Sequence, residues 1–326
     1  MLACAAMFLR ESAMSSTAPE LPPALAGELR FCTRRAGRLG YYVGGSKDAP
    51  PMLLVHSVNA AASAYEVKPV FDALAAERRI YVPDLPGFGF SDRSRRDYTI
   101  RLYCDALRDM LDVMADDGID APIDALAVSL GSEFLARVAA ESPQRFRSLA
   151  LVTPTGFSGM SPRYDGPAET SRRVPGMHAL VSLPLWSRAL FDLLTRPASI
   201  RYFLRRTYGS SAIDEGMAAY DHLTARQPGA QHAPLAFLSA HLFSRDIRNV
   251  YEMLSMPIWV PHATRGDFRN FSGAGWAQAR SNWRFQPMPT GAMPHFERPG
   301  EFIAAYRSFL AAAATAAAGM HPGAQA

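Results

Sequence analysis

The stretch Ala127-Val128-Ser129-Leu130-Gly131 follows an apolar run at residues 123–126 and precedes a helix-forming run. This order predicts a strand, a sharp turn and a helix, with Ser129 at the turn. Such a turn is crowded and needs small residues two before and two after the serine, and Ala127 and Gly131 are both small. The pattern predicts an exposed hydroxyl at a helix N-terminus, beside backbone N–H groups that can hold a negatively charged oxygen.

Strand-like and helix-like runs alternate on both sides of this turn. Strands are predicted at residues 29–33, 39–43, 52–56, 79–82, 123–128, 148–153, 257–260 and 283–287. Helices are predicted between them at residues 65–77, 100–116, 130–141 and 301–313. This alternation predicts an α/β fold, with a mostly parallel eight-stranded sheet and helices on both faces. In such sheets, sites lie beyond the carboxyl ends of the strands.

The alternation is interrupted between residues 156 and 250, where helical runs are separated by prolines and no strand is evident. We predict that this segment is a helical cap inserted after the sixth strand. The core then consists of residues 25–155 and 251–315, on either side of a cap at 156–250. Residues 1–24 and 316–326 are rich in Ala, Ser, Pro and Gly, which favours flexible tails.

The composition excludes several classes of function. The 326 residues are 48% hydrophobic and 20% charged, and the net charge of +4 is scattered along the chain. A nucleic-acid partner needs a clustered basic stripe with interleaved aromatic residues, which is not found. No apolar run approaches the roughly 20 residues of a membrane span, so no integral membrane segment is predicted.

Cysteine and glycine usage argues against a bound metal or cofactor. Cys4, Cys32 and Cys104 are odd in number and widely spaced, without an accompanying histidine cluster, which disfavours disulfides and zinc and favours the cytoplasm. No Gly-x-Gly-x-x-Gly opens a helix after the first strand. We expect a small-molecule substrate, no cofactor and no metal.

Four segments together resemble the α/β-hydrolase fold superfamily, in the branch with a cap. They are LLVHSV at residues 53–58, DLPGFGFSD at 84–92, the Ser129 turn, and GAMPHFERP at 291–299. The turn is similar to the nucleophile elbow of that family. The resemblance implies Ser129 as the nucleophile and Asp267 as the acid. It also implies an oxyanion hole formed by the N–H of Leu130 and that of Val58 or Ser57.

The catalytic histidine is missing from its usual place. When Glu297 and Pro299 are aligned with the family pattern, Ala292 fills the histidine position. A serine hydroxyl is a poor nucleophile until a base takes its proton, so the loss bears directly on activity. His295 is the nearest replacement, although a histidine at that offset also serves as packing under the last helix.

Other histidines have structural alternatives as well. His262 ends the seventh strand and is a second candidate base, its alternative being a histidine satisfied at the sheet edge. His56 belongs to the oxyanion segment, where it is expected to hold the loop through hydrogen bonds. Histidines of the cap are further candidates that the sequence does not distinguish.

The sequence therefore predicts a serine hydrolase of a small or medium apolar acyl compound, an ester first of all, by an acyl-enzyme on Ser129. Dehalogenases and epoxide hydrolases of this fold carry an aspartate nucleophile. The serine at position 129 therefore argues against both of these activities. Ala292 motivates a second hypothesis, a hydrolase-like protein that binds a ligand without turnover. Carbon–carbon bond hydrolysis or a lyase-like reaction in the same pocket is a third, because this fold hosts many chemistries.

Overall fold

A single eight-stranded sheet organises the residues that the computed structural model describes, 18–158 and 166–319. The strands are β1 (Glu28–Arg34), β2 (Gly37–Gly44), β3 (Pro51–Val55), β4 (Arg79–Pro83), β5 (Ile123–Val128), β6 (Phe146–Val152), β7 (Ile258–Ala263) and β8 (Trp283–Met288). Their order in the sheet is β1-β2-β4-β3-β5-β6-β7-β8. The contacts of β1 with β2 and of β2 with β4 are antiparallel, and the remaining pairs are parallel. The predicted mostly parallel sheet is confirmed.

The central strands are buried on both faces, which explains their continuous apolar runs. Every residue of β5 is buried. Since β3, β5, β6, β7 and β8 run in parallel, their carboxyl ends meet at one edge of the sheet. Val55 of β3 pairs with Ala127 of β5, so the loops that follow these two strands leave the edge at the same level.

Helices cover both faces of the sheet, as predicted. Those of the core are α1 (Lys68–Leu74), α2 (Ile100–Asp116) and α3 (Gly131–Glu141), each lying before β6. The α2 helix begins as its sequence predicts, because the Thr99 hydroxyl accepts a hydrogen bond from the Leu102 N–H. A short 3-10 turn, Ala64–Val67, replaces the first residues of the helix predicted at 65–77.

The segment between β6 and β7 is helical where the structure describes it. It contains α4 (Met177–Val181), α5 (Ser187–Leu194), α6 (Pro197–Tyr208), α7 (Glu215–Ala225), α8 (His232–Leu238) and α9 (Ile247–Glu252). We refer to these helices as the cap. The insertion point after the sixth strand agrees with the sequence, while the domain boundaries at 156 and 250 remain a prediction. None of the helices at residues 18–158 and 166–319 is long and apolar enough to cross a membrane.

The chain ends with α10 (Gly275–Gln278), α11 (Pro294–Glu297) and α12 (Pro299–Gly319). The α12 helix includes the first residues of the tail predicted at 316–326. Residues 18–24 of the other predicted tail are also packed: the Ala24 N–H donates to the Tyr42 hydroxyl at 2.9 Å, and the Tyr220 hydroxyl donates to the Pro22 carbonyl at 2.8 Å. These contacts tie the start of the described chain to β2 and α7. The rest of both predicted tails lies outside the described residues.

Candidate active site

The turn at Ser129 is a strained elbow between β5 and α3. Its φ of 49° lies in the left-handed region, which non-glycine residues rarely adopt. The Ser129 N–H donates to the Val152 carbonyl at 2.9 Å and fixes the turn on β6. A Cβ at Gly131 would lie 2.4 Å from the His56 carbonyl oxygen, so only glycine lets α3 approach the loop after β3. Strain of this kind persists where the surrounding structure enforces it, often at functional sites.

Ser129 is partly exposed, and its hydroxyl forms no hydrogen bond with any residue the structure describes. The N–H of Leu130, next in the chain, likewise has no acceptor in that part of the molecule, and neither does the N–H of Val58 after β3. The loops that carry them leave adjacent strands at the same level. A free hydroxyl and two free N–H donors therefore lie at one edge of the sheet.

Ser57 is the weaker of the two predicted alternatives for the oxyanion hole. Its N–H donates to Glu66 Oε2 at 2.7 Å and is not available to a substrate. The structure therefore favours Val58 as the partner of Leu130.

His56 fixes the same loop through two hydrogen bonds of its ring. Its Nδ1–H donates to the Ser57 carbonyl at 2.6 Å, and its Nε2 accepts from the Leu85 N–H at 2.8 Å. The ring is fully buried, and burial lowers its pKa to about 4. His56 is thus a neutral structural residue, in keeping with the sequence-based expectation of a loop-holding role.

Asp267 lies after β7, but its carboxylate faces a cation of the cap. Arg206 of α6 donates through Nε to Asp267 Oδ2 at 2.6 Å, and the Asp267 N–H donates to the Arg206 carbonyl at 3.2 Å. The Asp267 side chain is 43% exposed. The predicted acid is therefore paired with a guanidinium instead of an imidazole.

The end of α6 also covers the position that the family resemblance gives to the catalytic histidine. Ala292 is buried, and its N–H donates to the Thr207 carbonyl at 2.9 Å. A Cβ at the preceding Gly291 would lie 2.3 Å from the same carbonyl oxygen. The last turn of α6 therefore packs directly on this loop.

His295 is committed to another part of the structure. It is fully buried, its Nε2–H donates to the Glu66 carbonyl at 2.7 Å, and its ring packs against Phe296 and Phe302. Since the carbonyl can only accept, the proton is on Nε2, and Nδ1 has no partner. We therefore assign His295 a structural role and do not carry forward its predicted role as base. This role agrees with the packing alternative for that offset.

Burial lowers the pKa of His295 from 6.5 to about 4, which makes its contribution to stability dependent on pH. Because the pKa of His295 is lower in the folded than in the unfolded protein, its full contribution to stability is present above pH 6.5. This contribution is lost as the pH falls towards 4. Between pH 7 and pH 5, the wild type is expected to lose about 2 kcal/mol more unfolding free energy than His295→Gln, which keeps a donor but does not titrate. Urea unfolding at both pH values measures the difference, and equal losses would contradict the assignment.

His262 lies at the carboxyl end of β7 and is partly exposed. Its Nδ1 lies 3.2 Å from the Ala263 carbonyl, its ring centroid lies 4.3 Å from that of Phe271, and its Nε2 has no hydrogen-bond partner among the described residues. Burial lowers the pKa of His262, which favours the neutral form that a base requires. Phe271 and Asp267 both line a cavity of about 160 Å³ beside the end of β6.

Sequence reasoning missed Glu66 altogether. No motif marks this residue, and its contacts with the loop after β3 form only in the folded chain.

The described residues contain no group of three His, Cys, Asp or Glu side chains placed to hold a metal ion.

Comparison with known proteins agrees with this architecture. Residues 50–193 match the family described as alpha/beta hydrolase fold. A haloalkane dehalogenase of Psychrobacter cryohalolentis is 31% identical over 146 residues, covering 43% of this chain and 46% of that protein. The chain thus aligns with less than half of the length of this curated relative.

Two solved structures cover most of the chain. Cfl2 from Burkholderia cenocepacia has a TM-score of 0.68 at 23% identity, covering 89% of this chain and 98% of its own. A probable hydrolytic enzyme from Pseudomonas aeruginosa has a TM-score of 0.69 at 18% identity, covering 89% and 96%. At these identities the likeness shows the fold, which agrees with the sheet order and the elbow. The chain therefore has the α/β-hydrolase fold, and residues 50–193 carry its match to that family.

Proposed function

We propose that this protein is a hydrolase that attacks a small or medium apolar acyl compound, an ester first of all, through Ser129. The observation that carries the proposal is the strained Ser129 elbow, whose hydroxyl, like the N–H groups of Leu130 and Val58, has no hydrogen-bond partner at residues 18–158 and 166–319. A serine at this position distinguishes the site from dehalogenases, in spite of the similarity to one of them.

In this proposal the Ser129 oxygen attacks the ester carbonyl carbon. The carbonyl oxygen becomes an oxyanion, to which the N–H groups of Leu130 and Val58 donate. A base must accept the serine proton in the first step. The base gives the serine proton to the leaving oxygen, which departs as an alcohol, and water deprotonated by the same base then hydrolyses the acyl-serine. We propose His262 for this role, because it lies at the same sheet edge, is partly exposed and has a free Nε2.

A second candidate function is ligand binding without turnover. The observations that favour it are the Ala292 contact with the end of α6 and the pairing of Asp267 with Arg206. In this state the family's acid and base positions are both engaged by the cap. The site would then retain the oxyanion donors for binding while lacking an activated nucleophile.

Labelling with a fluorophosphonate separates these functions, because the reagent modifies activated serines. We expect the folded wild type to be labelled at Ser129 and Ser129→Ala to remain unlabelled. We expect His262→Gln to be labelled about 100-fold slower than the wild type, the lower end of the range for a general base. Mass spectrometry of the labelled peptide identifies the serine. A folded wild type that stays unlabelled would favour the binding function, and an unchanged rate in His262→Gln would remove the proposed base.

A further inference from the structure

The loop that carries Val58 is attached to a buried carboxylate. Glu66 belongs to the 3-10 turn Ala64–Val67 and is 2% exposed. Its Oε2 accepts from the Ser57 N–H at 2.7 Å, and its Oε1 accepts from the Ser57 hydroxyl at 2.9 Å. A residue without a side-chain hydroxyl at position 57 could not make the second bond.

The same carboxylate holds the other neighbour of Val58. Asn59 donates through Nδ2 to Glu66 Oε1 at 2.7 Å, and its Oδ1 accepts from the Ala61 N–H at 2.8 Å. Residues 57 and 59 are therefore both bonded to one side chain. Because Val58 lies between them, its peptide N–H has little freedom to turn.

Burial raises the pKa of Glu66, and the three donors that point at its two oxygens act in the opposite direction by stabilising the carboxylate. Asp221 of the cap helix α7 is a buried acid that interacts electrostatically with Glu66. Burial and, after it, the negative charge of Glu66 raise the pKa of Asp221 well above its usual value. Asp221 Oδ1 has no hydrogen-bond partner among the described residues, whereas both oxygens of Glu66 accept hydrogen bonds, so Glu66 is the better stabilised carboxylate of the two.

The backbone of Glu66 is fixed as well. Its carbonyl accepts from His295 Nε2–H at 2.7 Å, and its N–H donates to the Ser63 carbonyl at 3.1 Å. The turn is thereby anchored to the segment before α12. A rigid support of this kind is what a precisely placed donor requires.

We propose that Glu66 is a positioning residue: by binding Ser57 and Asn59, its carboxylate orients the Val58 N–H towards the oxyanion formed at Ser129. This inference rests on the function proposed above and names a residue outside the nucleophile, base and oxyanion donors. Glu66 does not contact the substrate and acts through the loop. Losing one oxyanion donor costs about 10²–10³ in kcat, and a misdirected donor loses part of this.

Glu66→Gln tests the proposal in the full-length protein. The amide keeps one acceptor oxygen, but its NH₂ group faces donors of Ser57 and Asn59 whose hydrogen bonds the carboxylate accepted. We expect kcat for a p-nitrophenyl ester, and the rate of fluorophosphonate labelling at Ser129, to fall about tenfold to 100-fold. KM should change little, because the donor acts mainly in the transition state.

Glu133→Gln is the matched control. Glu133 is likewise buried and accepts from a hydroxyl, Thr155 Oγ1 at 2.5 Å, and from a backbone N–H, that of Ser244 at 2.8 Å. It joins α3 to the two ends of the cap insertion, and its carboxylate has no hydrogen bond to residues 57–59. We expect Glu133→Gln to lose comparable stability while kcat stays within about twofold of the wild type.

Asn59→Ala removes one side of the support and leaves Glu66 in place, which covers the case that Glu66→Gln does not fold. Its kcat is expected to fall several-fold at unchanged KM. The positioning role would be overturned if a folded Glu66→Gln had the same kcat as the wild type. If Glu66→Gln does not fold, an Asn59→Ala variant with the kcat of the wild type would overturn it. Either result would leave the proposed function intact. An unlabelled wild type would overturn the proposed function, and the inference with it.

Discussion

The double variant Ala292→His/Arg206→Ala is expected to hydrolyse a p-nitrophenyl ester about tenfold faster than the wild type or more, because it rebuilds an acid–base pair behind Ser129. His262, the proposed base of the wild type, has a backbone carbonyl instead of a carboxylate beside its Nδ1, so a histidine supported by Asp267 is expected to be the more effective base. Ala292 occupies the position that the family resemblance gives to the histidine. Initial rates across a range of ester concentrations measure kcat and KM.

Both substitutions are needed because the cap engages both positions. Asp267 accepts from Arg206 Nε at 2.6 Å, so a histidine at 292 alone would compete with a guanidinium for its orienting acid. The Ala292 N–H is bonded to the Thr207 carbonyl at 2.9 Å, and an imidazole in this buried place must displace the last turn of α6. Such overpacking costs about 1–3 kcal/mol. Removing Arg206 also loosens that turn.

The single variants and a nucleophile knockout are the controls. Arg206→Ala removes an exposed ion pair, of a kind that contributes little to stability, and should leave ester turnover unchanged. Ala292→His should gain less than the double variant. Adding Ser129→Ala to the double variant should abolish the gain. If the double variant is no faster than Ala292→His alone, Arg206 does not withhold Asp267 from the site.

The fold followed from the sequence because its signals are local. Apolar runs such as β5, buried on both faces, predict parallel strands wherever they occur, and the small residues around Ser129 predict the elbow. Each strand was found near its predicted place. The helix expected at residues 65–77 is found at Lys68–Leu74, because the residues before it form a 3-10 turn. This turn places the Glu66 carboxylate against the loop after β3.

The sequence predicts the candidate site only where its residues are close together in the chain. Ser129 and Leu130 are adjacent in the chain, so their arrangement is encoded in one turn. Asp267 and Ala292 depend on α6, a cap helix about 60 residues or more away in sequence, whose packing no local pattern reveals. The sequence offers His295 as a base because it is the histidine nearest to Ala292, whereas tertiary packing determines the partner of its ring.

Replacing Asp246 with alanine is expected to lower the free energy of unfolding by about 3–5 kcal/mol, because it leaves a buried guanidinium without its partner. Arg137 of α3 donates to Asp246 Oδ1 at 2.6 Å and to Oδ2 at 3.1 Å, and both side chains are buried. The Glu169 N–H also donates to Asp246 Oδ2, at 3.0 Å. This carboxylate therefore ties the helix that begins after Ser129 to both ends of the cap. Urea unfolding of the variant and the wild type at pH 7 measures the loss.

Two comparisons identify burial as the cause. Glu77→Ala breaks the exposed ion pair with Arg307, whose side chains are 49% and 47% exposed, and should cost about 1 kcal/mol or less. Arg137→Leu/Asp246→Leu removes both charges and should be less destabilised than Asp246→Ala, since no unpaired charge stays buried. A double variant that is as unstable as the single one would mean that the bond to Glu169, and not the charge on Arg137, dominates the loss.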